Sequence, residues 1–306
     1  MDLFLNDGRK PLHRLAPGVA LTKLAPLFTN TCADLDMPIA LSQFGFLEIR
    51  GVDAEKFLQG YCTCDLNRLK SGHPVYGALT NIQGRVEATF AAQRLTDALE
   101  SREDPGLILR LHRSLVAPIL AQLQKYIVFS KAQLIDRTDD IHCYGFEGAG
   151  SIPQQAQSID PSSHRRELWS REIIQSDESE TDWIARDLLA GRIWISNEAS
   201  GLYLPQELGM DHAGGIDFDK GCYLGQEIIA RLHFKGQTKQ TLTLYKISQA
   251  VDFETETPIT NTEGTAVGHV LQCAWSEHGR LVAALIQRST QESDLRIGDT
   301  ALQPLS

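Results

Sequence analysis

Eight consecutive residues, Lys220 to Glu227, read KGCYLGQE. They set one thiol, Cys222, beside Lys220 and next to Gly221, just ahead of GQEIIARL, a stretch whose pattern predicts the start of a helix. A thiol near a helix N-terminus and a lysine ionises more readily and becomes a better nucleophile. The free N–H groups of such a helix start also favour an anion, for example a carboxylate. The wider stretch from Pro205 to Lys239 adds the carboxylates Glu207, Asp211 and Glu227 and the cations Arg231, Lys235 and Lys239. Gly214, Gly215, Gly221 and Gly225 permit close backbone approach there. A plainer reading stays open on these residues alone: a single cysteine is often a small buried hydrophobe, glycines serve turns, and Lys235 and Lys239 are solvated.

The elements around this stretch must position it. Residues 192–237 are rich in Gly, aromatics and charge with weak periodicity, and long irregular segments inside folded proteins are usually functional. Upstream, FGFLEIRG alternates Phe44, Phe46 and Leu47 with polar partners and predicts a strand ended by Gly51. VDAEKFLQGYCTCDLNRL predicts a helix with Asp53 as N-cap and Phe57 and Leu58 buried. PVYGALTNIQGRVEATFAAQRL predicts two strands joined by a turn at 82–84. GLILRLH is a strand, SLVAPILAQLQKYIV a helix, and AQLIDRTDDIHCYGFEG a strand, a turn and a strand. The stretch 148–163 reads as a loop, RELWSREII as a strand or short helix, and TDWIARDLLAGR as a helix ended by Gly191. From Thr238 on, TLTLYKI, GTAVGHVLQCAW and RLVAALIQ predict a small all-β domain.

The chain has 306 residues, so two or three domains are expected. Residues 1–30 read as an arm with an amphipathic piece at 19–28, 31–237 as an α+β core with room for two subdomains parted near 115–165, and 238–306 as a C-terminal β-barrel domain. The net charge of −10 repels phosphate backbones, so direct nucleic-acid binding is not expected. Six cysteines are too few for a disulfide framework at this length and suggest reduced thiols in the cytoplasm. No apolar run of membrane-spanning length occurs, and the first residues lack a signal-peptide core.

Cys62 and Cys64 would share a face on a strand but not on the helix predicted there. With no second Cys or His pair of zinc-like spacing, they read as structural, and no metal site is expected. His212 and His233 flank the eight-residue segment, and each reads more readily as structural than as a direct participant.

The segment KGCYLGQE matches every specified position of K-G-C-Y-x-G-Q-E, and ARLHFKG follows it. FLQGYCTCDLNRL, NIQGR (Asn81 to Arg85) and PQELGMDHAGGIDFDKG extend the match over about residues 40–290. On these motifs the chain resembles the YgfZ family, folate-binding proteins related to the T protein (aminomethyltransferase) of the glycine cleavage system. The resemblance implies a T-protein-like core of antiparallel sheets and helices, a small C-terminal β-barrel and a ring-like arrangement. It implies tetrahydrofolate or a derivative as cofactor, with iron–sulfur client or assembly proteins as partners. The implied role is assembly or repair of iron–sulfur enzymes, including those that modify tRNA. Cys222 and Lys220 would be the working groups. Trp194 would stack on the pterin, Asn81, Gln206 and Glu207 would bond its edge, and Arg85 or Arg231 would meet the glutamate carboxylates. Tyr223, Gln226 and Glu227, inside the signature, complete the expected ligand set.

One departure stands out. The T protein carries paired acids after its turn, and here those positions are Ala88 and Thr89, with Glu87 adjacent on the opposite strand face. Without that carboxylate, acid–base help to a leaving amine is missing, and glycine-cleavage chemistry is not expected. A different one-carbon transferase, and a non-catalytic adaptor with a vestigial pocket, are the competing readings.

Overall fold

The computed structural model describes residues 37–71, 73–95, 105–147, 153, 155–157, 165–176, 181–248, 251, 253–276, 279–290 and 294–305. The expected N-terminal arm and most of the 148–163 loop lie outside these. In chain order the strands and helices are β1 (Ile39–Ala40), β2 (Phe44–Arg50), α1 (Ala54–Gln59), β3 (Val75–Thr80), β4 (Val86–Arg94), β5 (Gly106–His112), α2 (Arg113–Leu123), β6 (Gln133–Asp136), β7 (His142–Phe146), β8 (Arg166–Ser170), α3 (Thr181–Leu189), α4 (Gln226–Lys235), β9 (Gln240–Ile247), β10 (Pro258–Thr260), β11 (Ala266–Ser276), β12 (Gly279–Gln287), β13 (Arg296–Ile297), β14 (Thr300–Ala301) and β15 (Gln303–Pro304).

They build an α+β fold of three antiparallel sheets. The order is β3-β4-β5-β2-β6 in the first, β1-β7-β8 in the second and β14-β13-β10-β11-β12-β9-β15 in the third, a nearly closed barrel. Alternation along β12 explains how barrel and core join. Leu281, Ala283 and Leu285 pack into the main core, while Val282, Ala284 and Ile286 fill the barrel interior. Successive strand residues point to opposite faces, so one strand seals both cores.

Several expectations change. All seven residues of β2 are buried, because the strand lies between β5 and β6 with α2 packed on it. Glu48 is buried there and accepts from Arg137 Nε at 2.7 Å. The helix expected through Leu69 stops at Gln59. Gly60 turns the chain, Cys62 bridges Leu79, and Thr63 N–H donates to the Ala78 carbonyl at 2.9 Å. Asp53 makes no side-chain cap to α1; its carboxylate accepts from Lys131 N–H at 2.8 Å. The strands β6 and β7, adjacent in sequence, belong to different sheets. RELWSREII gives a strand, β8, and Gly191 ends α3 with φ of 71°. No helix among the described residues is long and apolar enough to cross a membrane.

Candidate functional site

Residues 59–65 and 220–224 form one knot of hydrogen bonds. The Lys220 ammonium is buried and donates to the carbonyls of Gln59 at 2.8 Å, Cys62 at 2.7 Å and Cys64 at 2.8 Å. Those three bonds use all three of its N–H groups. It also lies 5.0 Å from the centre of the buried Tyr223 ring. Lys220, expected from the sequence as a working group, is here the cation that closes the turn after α1, and it anchors the backbone two residues before Cys222.

The strand-like course of 62–64 puts both thiols on one buried face, with sulfurs 4.0 Å apart. The Lys220 Nζ stands 3.7 Å from Cys62 Sγ. Burial pushes the Cys62 thiol up, but the Cys64 S–H aimed at it and the Lys220 ammonium outweigh burial and hold it below its ordinary range. The hydrogen bond to Cys62, with burial, pushes Cys64 well above that range. Among the described residues no group of three or more His, Cys, Asp or Glu is arranged to hold a metal ion.

Cys222 is exposed. It sits on a two-sided anchor. Lys220 ties down one side, and on the other Leu224 N–H donates to Gly60 O at 3.0 Å while its carbonyl accepts from Thr80 Oγ1 at 2.6 Å. Four residues after Lys220 the chain is thus fixed again, and the thiol is presented to solvent between the two fixed points. The reading of Cys222 as a buried small hydrophobe is ruled out by that exposure.

The turn 81–85 abuts the start of α4. Asn81 Oδ1 accepts from the N–H groups of Gln83 and Arg85, both at 3.0 Å, so its side chain shapes the turn. Gly225, the residue before α4, has φ of 80° and passes against the Asn81 carbonyl and Gly84. A side chain at either glycine would push turn and helix apart. Gln226 Oε1 accepts from Tyr223 N–H at 3.3 Å, while Glu227 and Arg231 are exposed on α4.

A cleft of about 660 Å³ opens where the core meets the barrel. Arg85, Leu202, Tyr203 and Glu207 line it from the core, and Lys239, Gln240, Gln287 and Arg288 from the barrel side. Arg85 donates from one Nη to the Leu202 carbonyl. Glu207 Oε2 accepts from Leu204 N–H at 2.8 Å, which fixes the carboxylate at the wall. One carboxylate and three cations therefore share a single opening. Arg85 and Glu207 were legible as candidates; Lys239 carried only a generic positive charge in the sequence, and nothing near Arg288 marked it.

The other candidates stand elsewhere. Gln206 lines a separate cavity, and its Nε2 donates to the Ile229 carbonyl of α4 at 2.7 Å. Trp194, expected to stack on the pterin, is a buried residue that also lines a cavity apart from the cleft. It is 3% exposed, its Nε1 donates to Asp187 at 2.7 Å, and the Arg110 guanidinium lies 4.0 Å over its ring. The Phe44 and Tyr76 rings meet it edge to face, and Arg110 is held in turn by the Glu167 carboxylate at 3.0 Å. His233 stacks on Phe218 at 3.7 Å, and His212 is exposed. Ala88 and Thr89 are fully buried in β4, with Thr89 Oγ1 accepting from Ile195 N–H at 3.1 Å.

No family model matches the chain. Over 252 residues, 81% of this chain and 84% of the other, it is 27% identical to an uncharacterised protein of Haemophilus influenzae. It is also 27% identical over 320 residues to the tRNA-modifying protein YgfZ of Escherichia coli O157:H7, covering 92% of this chain and 96% of that one. The protein of the same name from Shigella sonnei is 26% identical over 322 residues, with the same coverage. In structure the chain is similar to the glycine cleavage system aminomethyltransferase T from Bartonella henselae, with a TM-score of 0.65 over 88% of this chain and 84% of that one. Sequence identity to it is 15%, so that likeness speaks for the fold.

Proposed function

We infer that this chain, a relative of the YgfZ proteins built on the aminomethyltransferase T fold, is a folate-binding accessory protein for the assembly or repair of iron–sulfur enzymes, those that modify tRNA among them. The observation that carries the folate half is the charge layout of the 660 Å³ cleft. A reduced folate has a pterin edge rich in N–H donors and a tail that ends in carboxylates. Glu207 supplies an acceptor for the first. Arg85 and Lys239, with Arg288 beside them, supply cations for the second, and a guanidinium suits a carboxylate in both charge and geometry. The cleft volume falls within the usual range for a small-molecule site, about 300–1,000 Å³.

The iron–sulfur half rests on the intact signature and the exposed Cys222, together with the name of the relatives. Bound folate would place a one-carbon or redox-active group in the cleft. Glycine-cleavage aminomethyl transfer is not part of this reading. The positions of the paired acids are Ala88 and Thr89, both sealed in the core, and Glu87 accepts a hydrogen bond from Gln122.

Calorimetric titration with tetrahydrofolate tests the ligand. Saturable binding at micromolar concentration is expected, and Glu207→Gln and Arg85→Ala should each weaken it about ten-fold, that is about 1.4 kcal/mol. No heat of binding at high micromolar folate would leave the adaptor reading in its place.

A further inference from the structure

Residues 205–215 fold back on themselves through Met210 N–H to Pro205 O at 3.0 Å, Ala213 N–H to Gly209 O at 3.1 Å and Gly215 N–H to Met210 O at 2.7 Å. The successive turns bring Gln206 and Asp211 to the wall of one cavity of about 340 Å³, apart from the wall that Glu207 gives to the cleft. The Gln206 side chain is buried, and its amide orientation is set chemically, because the group facing the Ile229 carbonyl must be the NH₂. Its Oε1 is then a buried acceptor with no hydrogen bond, and so is Asp211 Oδ1. The other Asp211 oxygen is 3.9 Å from His212 Nε2, too far for a hydrogen bond. Two buried acceptors without donors, one belonging to a carboxylate, are costly at about 1–3 kcal/mol each, and a bound donor would relieve that cost.

A cationic donor would suit the carboxylate in charge as well as in hydrogen bonding. A primary ammonium has three N–H groups and a positive charge, enough to serve both. Arg288 also lines this cavity; it is an exposed residue, tied through Nε to Thr238 Oγ1 at 3.0 Å. A bare amine would feel that charge as repulsion. A ligand with a carboxylate as well would turn Arg288 into a partner. The volume is near the lower limit for ligand sites, about 300 Å³.

We propose that this cavity binds a small zwitterionic amine of the amino-acid class, its ammonium on Gln206 Oε1 and Asp211 Oδ1 and its carboxylate toward Arg288. The site shares Arg288 with the neighbouring cleft but needs no folate bound there.

The full chain is titrated, by ligand-observed NMR and calorimetry, with glycine, β-alanine and 4-aminobutanoate, and with propylammonium and propionate as the two half-ligands. At least one zwitterion should bind saturably in the millimolar range or tighter, about ten-fold better than either half-ligand. Asp211→Asn and the near-isosteric Gln206→Met should each weaken it by about ten-fold. Glu207→Gln, which is aimed at the cleft, should leave it unchanged, so a failure of the folate reading and a failure here are told apart. Circular dichroism confirms that each variant is folded; should Asp211→Asn unfold, the half-ligand comparison in the unaltered chain and Gln206→Met decide. Absence of saturable binding by every zwitterion up to about 50 mM, equal binding of propionate, or undiminished binding in a folded Asp211→Asn or Gln206→Met chain overturns the proposal.

Discussion

The Lys220 ammonium and the Cys62 carbonyl meet at 2.7 Å in the interior, although 158 residues separate them. The same ammonium holds the carbonyls of Gln59 and Cys64. Lys220→Met keeps most of the apolar stem and removes the three donors at once. Three carbonyls, two of them in fully buried bonds, then lose their partner, and a loss of about 3 kcal/mol in unfolding free energy is expected. Urea denaturation measures it. A change under about 1 kcal/mol would mean that Lys220 is not what closes this turn.

Asp65 secures the other side of the same turn. Its Oδ1 accepts from Gln59 Nε2 at 2.7 Å, Asn67 N–H at 3.0 Å and Asn67 Nδ2 at 2.9 Å. Burial alone would push its pKa up, but these bonds and the Lys220 charge outweigh burial and hold the carboxyl below its ordinary value. A depressed folded pKa means that the unfolded chain takes up the proton first as pH falls. The stabilisation is therefore complete above the unfolded value of about 3.9 and disappears as pH drops through the folded value. Asp65→Asn keeps an acceptor and removes the charge. The stability gap between the two chains should be constant from neutral pH to about 5 and close below about 4. Because the group is largely solvated, the gap is a fraction of a kcal/mol. Thermal melts across that range check it, and a gap that widens in acid would contradict the assignment.

Gly225 joins the signature to the turn at 81–85. A Cβ there would stand 2.4 Å from the Asn81 carbonyl oxygen and 2.7 Å from Gly84 Cα, in a backbone with φ of 80°. Backbone lies on both sides, so little can yield. Gly225→Ala is expected to cost about 3 kcal/mol. Gly221→Ala, in the same segment, meets nothing within 4 Å and has no positive φ, so it should stay within about 0.5 kcal/mol. Equal effects at the two glycines would refute this account of the junction.

The barrel strands were legible because alternation is a local signal, and β12 shows it on both faces. The turn at 81–85 was legible from Asn and Gly in their usual places. The course of 59–65 was not. Phe57 and Leu58 set up a helical pattern, and only pairing with β3 and the distant Lys220 shows that the chain leaves it. The surroundings of Trp194 were hidden for a similar reason: an aromatic beside an irregular segment suits a flat ligand, and only the fold shows Arg110, brought by β5, over its ring. Arg288 became a cleft residue only when β12 closed against β9 and carried the chain to Lys239, whose carbonyl accepts from Arg288 N–H at 2.9 Å. Long-range pairing supplied each of these, and no short window of sequence contains it.

Cys222 and the cleft proposed for folate are separate, since the thiol is exposed and is not among the residues lining the cleft. That separation gives a prediction in two parts. In the native chain, iodoacetamide should alkylate Cys222 about ten-fold faster than the buried Cys62, Cys64 and Cys143, as followed by peptide mass spectrometry, because access to the thiolate governs the rate. The lowered pKa of Cys62 does not help it, as no reagent reaches a fully buried sulfur. Cys222→Ala should then bind tetrahydrofolate as the unaltered chain does and melt at the same temperature. In cells that depend on it, a cluster-dependent enzyme should nonetheless lose activity. Full activity with Cys222→Ala would remove the thiol from the proposed role and leave the proposed folate cleft standing alone, whereas loss of folate binding in that variant would mean that thiol and cleft are coupled in a way the geometry does not provide.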